Sequence, residues 1–310
     1  MPDLSVVIPV FRAEDCLPEL YRRLKESIEP ITHDFEIILV EDCGGDKSWS
    51  LIEGIVRSDK RVRGVRLSRN FGQHAATICG IEKASGRWVV TLDDDLEQGP
   101  EDIVRLYQKS QEGFSLVYGI YPERSHMGWR NLTSALARKL FALAIPSLNY
   151  AYTSFRIIDG RLARELCQFD SSFPFIDGYL SWLTNNYATV EVQHSPRVAG
   201  KSNYTFRKLF THTINIFVTF SDLPLKLASW LGMVCSSLGV VWLLIILLGK
   251  LFGSITVSGF ASIMAAIVFF GGIQLFVLGV FGEYLGRINF KTSKKPLYLV
   301  AEEVAGNELQ

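Results

Sequence analysis

Residues 89–103 read VVTLDDDLEQGPEDI, so three consecutive acids, Asp93, Asp94 and Asp95, with a fourth at Glu97, follow an apolar strand-like run. Carboxylates about 4 to 6 Å apart raise one another's pKa, so the cluster calls for a compensating cation or for solvent. A D-x-D at a strand end offers oxygens to a hard divalent ion that keeps other positions for water and diphosphate oxygens. Such an ion neutralises a leaving nucleoside diphosphate as the bond to a sugar breaks. Three other chemistries drop out. An EF-hand loop counted from Asp93 needs Gly where Gln98 stands, the GKS at 200–202 lacks the first glycine of a phosphate loop, and no G-x-G-x-x-G follows the first strand.

The acids matter only if the fold brings them together. LSVVIPVF (4–11), FEIILVED (35–42), VRGVRLS (62–68) and GRWVVTLDDD (86–95) are short β-rich runs. Helical patterns lie between them: Leu17, Leu20, Leu24 and Ile28; then Trp49, Ile52, Ile55 and Val56; then a small-residue helix over 74–84. This alternation predicts an α/β fold with a mostly parallel, doubly wound sheet, whose ligands sit at the carboxyl ends of strands. Pro9 to Phe11, Glu41 with Asp42, and Asp93 to Asp95 then converge on one crevice.

The 310 residues carry zero formal net charge, which implies no polyanionic partner such as nucleic acid. Apolar residues concentrate late: 230–249 and 254–282 contain no charge, and each reaches the roughly 20 residues that cross a bilayer. Two membrane helices are expected, at about 230–249 and 256–281. Bases flank the pair on both sides, at Arg207, Lys208 and Lys226 and at Arg287, Lys291, Lys294 and Lys295, which puts both flanks in the cytosol. Strand-like sequence from Leu4 argues against a signal peptide. The five cysteines show no C-x-x-C spacing, in keeping with reduced, non-metal thiols. The expected division is a catalytic domain over 1–204, an amphipathic juxtamembrane segment over 205–228, two membrane helices within 229–285 and a basic cytosolic tail over 286–310.

Taken in order, SVVIPVFRAED, EIILVEDCGGDKSW, LSRNFGQHAAT, LDDDLEQGPEDI, SFRIID, AGKSNYTFRKL and VFGEYLGRINF match a known pattern. Nearly the whole chain resembles the family 2 inverting glycosyltransferases, in the branch acting on polyprenyl phosphates that includes dolichol-phosphate mannose synthase. The resemblance implies a GT-A type doubly wound mixed sheet, amphipathic juxtamembrane helices and a two-helix transmembrane hairpin, in a multi-pass inner-membrane protein with its catalytic domain on the cytoplasmic face. It implies a nucleotide diphospho-sugar donor, UDP- or GDP-linked, with Mg²⁺ or Mn²⁺, and a homo-oligomer. Pro9, Phe11, Glu14, Asp42 and Arg69 would line the nucleotide pocket, with Asp42 on the base. Asp93 would face the ribose, sugar or metal, Asp95 would be the principal metal ligand, and Glu97, where relatives often carry Gln, could join the metal. Asp94, the middle residue, would point away as a solvated acid.

A membrane enzyme using a cytosolic sugar nucleotide suits a lipid acceptor. A polyprenyl phosphate is already ionised and needs positioning and cations rather than a base. Candidates to hold its phosphate are Arg124, Arg130, Arg156, Arg197 and Lys201 with Ser202 and Tyr204, each weighed against a plain surface charge. Stretches 132–145 and 206–220 combine apolar faces with bases, as helices at a membrane surface do. Asp177 departs from the family pattern. It is expected either to cap the following helix or to act as base on a sugar hydroxyl, which would make a lipid-linked saccharide the acceptor. A membrane scaffold that binds nucleotide without catalysis is the third possibility.

Overall fold

The computed structural model describes residues 1–121, 152–169, 174–193, 223–251, 259–293 and 295–306. The chain divides into an α/β unit (Met1–Ala142, Pro146–Thr205, Lys295–Gln310) and a helical unit (Leu143–Ile145, Phe206–Lys294).

In the α/β unit the apolar runs become β1 (Leu4–Val10), β2 (Phe35–Glu41), β3 (Val62–Leu67) and β4 (Trp88–Thr91), with β1 buried along its whole length. Strands buried on both faces read as continuous apolar sequence, as parallel sheets covered by helices require. The helices α1 (Leu17–Ile28), α2 (Ser48–Ser58) and α3 (Gln73–Lys83) connect them. In α1, a proline in the first turn and Glu19 set the start, and Leu17, Leu20, Leu24 and Ile28 form the buried stripe. Gly80 lets α3 lie close on the sheet, because a Cβ there would strike the side chain of Val7. A short 3₁₀ turn (Pro100–Asp102) leads into α4 (Ile103–Ser110), followed by β5 (Leu116–Ile120), β6 (Arg156–Asp159), α5 (Gly160–Leu166), α6 (Ile176–Leu183) and β7 (Tyr187–Glu191). With β8 (Val300–Ala305), the strands form one mixed sheet of order β7-β5-β6-β4-β1-β2-β3-β8. Pairs β1–β2, β1–β4, β2–β3 and β5–β7 are parallel; β4–β6, β5–β6 and β3–β8 are antiparallel.

Two expectations change. The fourth strand ends at Thr91, so the three acids stand in the turn beyond it rather than on it. Residues 286–310 are not a free basic tail: helix continues to Thr292, and β8 pairs antiparallel with β3, Arg66 opposite Glu302 and Gly64 opposite Val304. Charge matching holds this edge, since Arg66 Nη1 lies 3.8 Å from Glu302 and Lys83 Nζ lies 2.7 Å from Glu303. Val304 packs against the core.

The helical unit contains α7 (Leu223–Leu251) and α8 (Phe260–Thr292), longer at their outer ends than the expected apolar spans. Among the described residues one stretch, Phe269–Gly286 of α8, has the length and mean hydropathy, 1.4, to cross a membrane. Both helices display large apolar side chains outward, among them Trp230, Leu238 and Trp242 on α7 and Leu275, Phe276 and Leu278 on α8. The stretches 132–145 and 206–220 lie outside the described residues.

Candidate active site

Strands β4, β1 and β2 are neighbours, parallel and in register, so their carboxyl ends open side by side. Each exit is marked by a non-glycine residue with left-handed backbone: Arg12 (φ 57°) after β1, Cys43 (φ 52°) after β2 and Leu96 (φ 61°) after the acids. Such conformations are uncommon outside glycine and persist only where the surroundings fix them, typically at ligand sites. Here the acids do the fixing. Phe11 N donates to Asp94 Oδ2 at 2.8 Å, tying the exit of β1 to the acidic turn. Phe71 N and Gly72 N donate to the two oxygens of Asp42 at 2.7 and 2.8 Å, drawing the loop before α3 to the exit of β2.

Asp94 is therefore not the solvated middle residue expected from the sequence. It joins two strand ends, and burial, countered by the Phe11 N–H and reinforced by the charges of Asp93 and Asp95, pushes its carboxyl up to about 7. At Asp42 both oxygens hold backbone N–H groups, and burial pushes this carboxyl up while those two bonds pull it down. It shapes the pocket by fixing the 71–72 loop.

Asp93 is half-buried and held from two sides. Gln73 Nε2 at the head of α3 donates to Oδ1 at 2.5 Å, and Ser154 Oγ and Gln98 Nε2 donate to Oδ2 at 2.7 and 3.2 Å. Burial first, and the Asp95 charge among the lesser causes, pushes its carboxyl up to about 6. Asp95 turns back on its own loop, Oδ1 accepting from Glu97 N at 3.1 Å. Among the described residues no three His, Cys, Asp or Glu side chains gather as a metal cage, so Asp93, Asp95 and Glu97 do not form the ligand triad considered from sequence. The reason is geometric: Asp93 faces Gln73, Ser154 and Gln98. One or two carboxylates completed by substrate phosphates is nonetheless how Mg²⁺-like ions are commonly held. The all-oxygen donor set at this turn fits such an ion.

The other pocket candidates sit at the same exits. Pro9 is buried on β1 opposite Val40. Phe11 carries the Arg12 guanidinium 5.2 Å from its ring centre. Glu14 is exposed and accepts from Lys47 N at 2.9 Å, bracing the loop before α2, and exposed Arg69 lies over the Phe71 ring at 4.8 Å.

Arg156 and Asp177 meet, but as an internal pair. Arg156 Nη1 donates to Asp177 Oδ1, and Arg156 Nε donates to Thr91 Oγ1 at 3.2 Å. With Arg156 at 2% exposure and its charge committed to Asp177, a phosphate-clamping part does not follow from its position. Asp177 stands inside the first turn of α6, whose first residue follows Phe175, and no side chain caps that helix; the capping part expected for Asp177 is not what it does. Burial pushes the Asp177 carboxyl up and the Arg156 charge pulls it down. Arg124, Arg130, Arg197, Lys201, Ser202 and Tyr204 lie outside the described residues. Sequence reasoning missed Gln73, Gln98 and Ser154. All three stand in or beside the stretches that carried the resemblance, and that proximity was the available signal.

The sequence profile of glycosyl transferase family 2 matches residues 5–164, from the first buried strand through the acidic turn to α5. The chain belongs to glycosyl transferase family 2. The GtrB C-terminal hairpin profile matches this glycosyltransferase over residues 223–288, which are α7 and α8. It is 30% identical over 309 residues to the SfII prophage-derived bactoprenol glucosyl transferase of Shigella flexneri, covering 98% of this chain and 99% of the relative. It is 32% identical over 314 residues to the undecaprenyl-phosphate 4-deoxy-4-formamido-L-arabinose transferase of Pseudomonas aeruginosa, covering 97% of this chain and 90% of the relative. Among solved structures, mannosyl-3-phosphoglycerate synthase from Rubrobacter xylanophilus superposes with a TM-score of 0.53 at 17% identity, over 70% of this chain and 73% of the other, a likeness of fold. The glycosyltransferase thus has a GT-A α/β mixed sheet with its acidic turn at the carboxyl edge.

Proposed function

We propose that this enzyme transfers a sugar from a UDP- or GDP-linked donor to undecaprenyl or another polyprenyl phosphate, with inversion at the anomeric carbon, in the synthesis or modification of cell-envelope polysaccharide. The observation that carries the reading is similarity over nearly the whole chain to two transferases whose names each specify a polyprenyl carrier, hairpin included.

The crevice at the ends of β1, β2 and β4 receives the nucleotide. Pro9 and Phe11 form one wall, and Asp42 keeps the 71–72 loop, with Arg69 beside it, at the other. Asp95 would hold Mg²⁺ or Mn²⁺, which supplies charge neutralisation for the departing diphosphate. Asp93 faces the donor sugar. The acceptor phosphate oxygen is ionised at neutral pH, so attack needs alignment and cationic surroundings but no proton acceptor. Pairing of Asp177 with buried Arg156 fits this and disfavours a hydroxyl acceptor with Asp177 as base. The exposed apolar faces of α7 and α8 support a two-crossing anchor in the inner membrane with the catalytic unit on the cytoplasmic face, and a homo-oligomer belongs to the same reading.

The test uses purified full-length protein in detergent with Mn²⁺, labelled UDP- and GDP-sugars and polyprenyl phosphate. A metal-dependent labelled lipid, lost in Asp95→Asn, supports the proposal and names the donor. Transfer only to a lipid-linked saccharide would overturn it, and nucleotide binding without turnover of any donor would point to a scaffold.

A further inference from the structure

The hydrogen-bond partners of Asp93 are all neutral, and two of them, Gln98 and Ser154, are also bonded to each other. Gln98 Oε1 accepts from Asp93 N at 2.9 Å, while Gln98 Nε2 donates to Ser154 Oγ at 2.6 Å and to Asp93 Oδ2 at 3.2 Å. The Ser154 hydroxyl then has one proton left to give, and it gives it to Asp93 Oδ2 at 2.7 Å. Donors and acceptors balance around this ring: the two amide protons, the hydroxyl proton and the Asp93 N–H each have an acceptor.

The ring is also anchored. Gln98 is 5% exposed, and the Ser154 carbonyl accepts from Thr91 Oγ1 at 2.6 Å, which ties it to the end of β4. Phe155, next in the chain, is fully buried, and Arg156 after it is fixed by its ion pair. A carboxylate two residues from Asp95 and free to rotate would swing toward any cation bound there. Neutral amide and hydroxyl donors prevent this without cancelling the charge, which a lysine or arginine would do.

We propose that Gln98 and Ser154 are positioning residues, which lock the Asp93 carboxylate into the orientation that meets the donor sugar and so leave the divalent ion to Asp95. This rests on the role proposed above for the two acids. Misplacing a reacting group's partner by about 1 Å costs about 100-fold in rate, whereas binding of the ion at Asp95 does not need the ring.

The experiment compares the full-length enzyme in detergent with Gln98→Leu, Ser154→Ala, the double variant and Ser154→Thr, using Asp93→Asn and Asp95→Asn as references. Steady-state kcat and donor KM are measured with the lipid acceptor, Mn²⁺ binding to the free enzyme by electron paramagnetic resonance, and thermal midpoints alongside. Each single variant is expected to lose kcat by about 10- to 100-fold. The double variant should be no worse than the worse single one, because both act through one carboxylate. Mn²⁺ affinity should stay within about threefold of the parent, unlike Asp95→Asn, and Ser154→Thr, which keeps the hydroxyl, should recover most of the rate. Additive losses, a parallel fall in Mn²⁺ affinity, or unchanged kcat would overturn the positioning role. If Gln98→Leu does not fold, Gln98→Met serves in its place. Full turnover by Asp93→Asn would sink the proposed role of the acid itself; an inactive Asp93→Asn beside fully active ring variants would sink only the ring.

Discussion

Arg156 on β6 donates to Asp177 in the first turn of α6, and the two residues are only 2% and 5% exposed. A buried ion pair of this kind holds two elements in register rather than meeting a ligand. Removing one partner strands a charge in the interior, at a cost of about 3–5 kcal/mol, whereas replacing both by apolar groups of similar size is far milder. Asp177→Asn and Arg156→Met should each lower the urea midpoint of the detergent-solubilised enzyme sharply. The double variant Arg156→Met with Asp177→Leu should recover much of the loss. If Asp177→Asn melts like the parent yet transfers no sugar, Asp177 touches substrate after all.

Asp42 gives a different expectation. Its two bonds to Phe71 N and Gly72 N order the loop ahead of α3. Asp42→Ala leaves two backbone donors without that partner, about 1–3 kcal/mol each where water cannot replace it. The loop borders the proposed nucleotide wall, so nucleotide affinity should fall by at least about tenfold, with faster hydrogen exchange at 71–76. Unchanged exchange there would show that the loop is held by other contacts.

Packing at Gly80 is tight because α3 rests directly on β1 and β2. A Cβ there collides with Val7 and comes within 3.1 Å of Val40. Gly80→Ala should destabilise by about 1–3 kcal/mol despite its better helix propensity. A rise in thermal midpoint would mean that α3 shifts without penalty.

Acid stability carries the mark of Asp59. Arg61 hydrogen bonds hold its carboxyl down at about 2, with help from the Arg61 backbone and from Tyr21 Oη at 2.9 Å. An unfolded Asp titrates near about 4, so the contribution is complete above that value and is lost as the pH falls toward about 2. With partly exposed partners it is worth about 1 kcal/mol after screening. Asp59→Asn should lower stability at neutral pH by that amount and flatten the decline between about pH 4 and 2; an unchanged acid limb would remove Asp59 from the account.

The central strands were readable because parallel strands covered on both faces are written as unbroken apolar runs, as in Val6 to Val10 or Ile37 to Val40. The acidic turn was equally visible, since like charges in a row have few structural uses. The targets of those charges were not visible. Asp42 and Asp94 bind backbone N–H groups, which every residue carries and no sequence pattern marks, and Asp177 finds Arg156 across a distance set only by the folded sheet. Gln98 and Ser154 looked like ordinary polar loop residues because a hydrogen-bonded ring is a property of three segments at once. The last strand was misread for the opposite reason: Glu302 and Glu303 look like tail residues until Arg66 and Lys83 stand across from them.

That last strand also constrains the order of events during synthesis. The partner of β3 is encoded after α7 and α8, so a nascent chain emerges with the edge of β3 bare while the 29 residues of α7 and the 33 of α8 have still to be made. Bare strand edges recruit other strands. Under the proposed membrane anchoring, early engagement of the hairpin would keep neighbouring nascent chains apart during that interval. A catalytic fragment cut before residue 223 would never pass out of that state, which makes the shortened gene a poor starting point for obtaining the enzyme in soluble form.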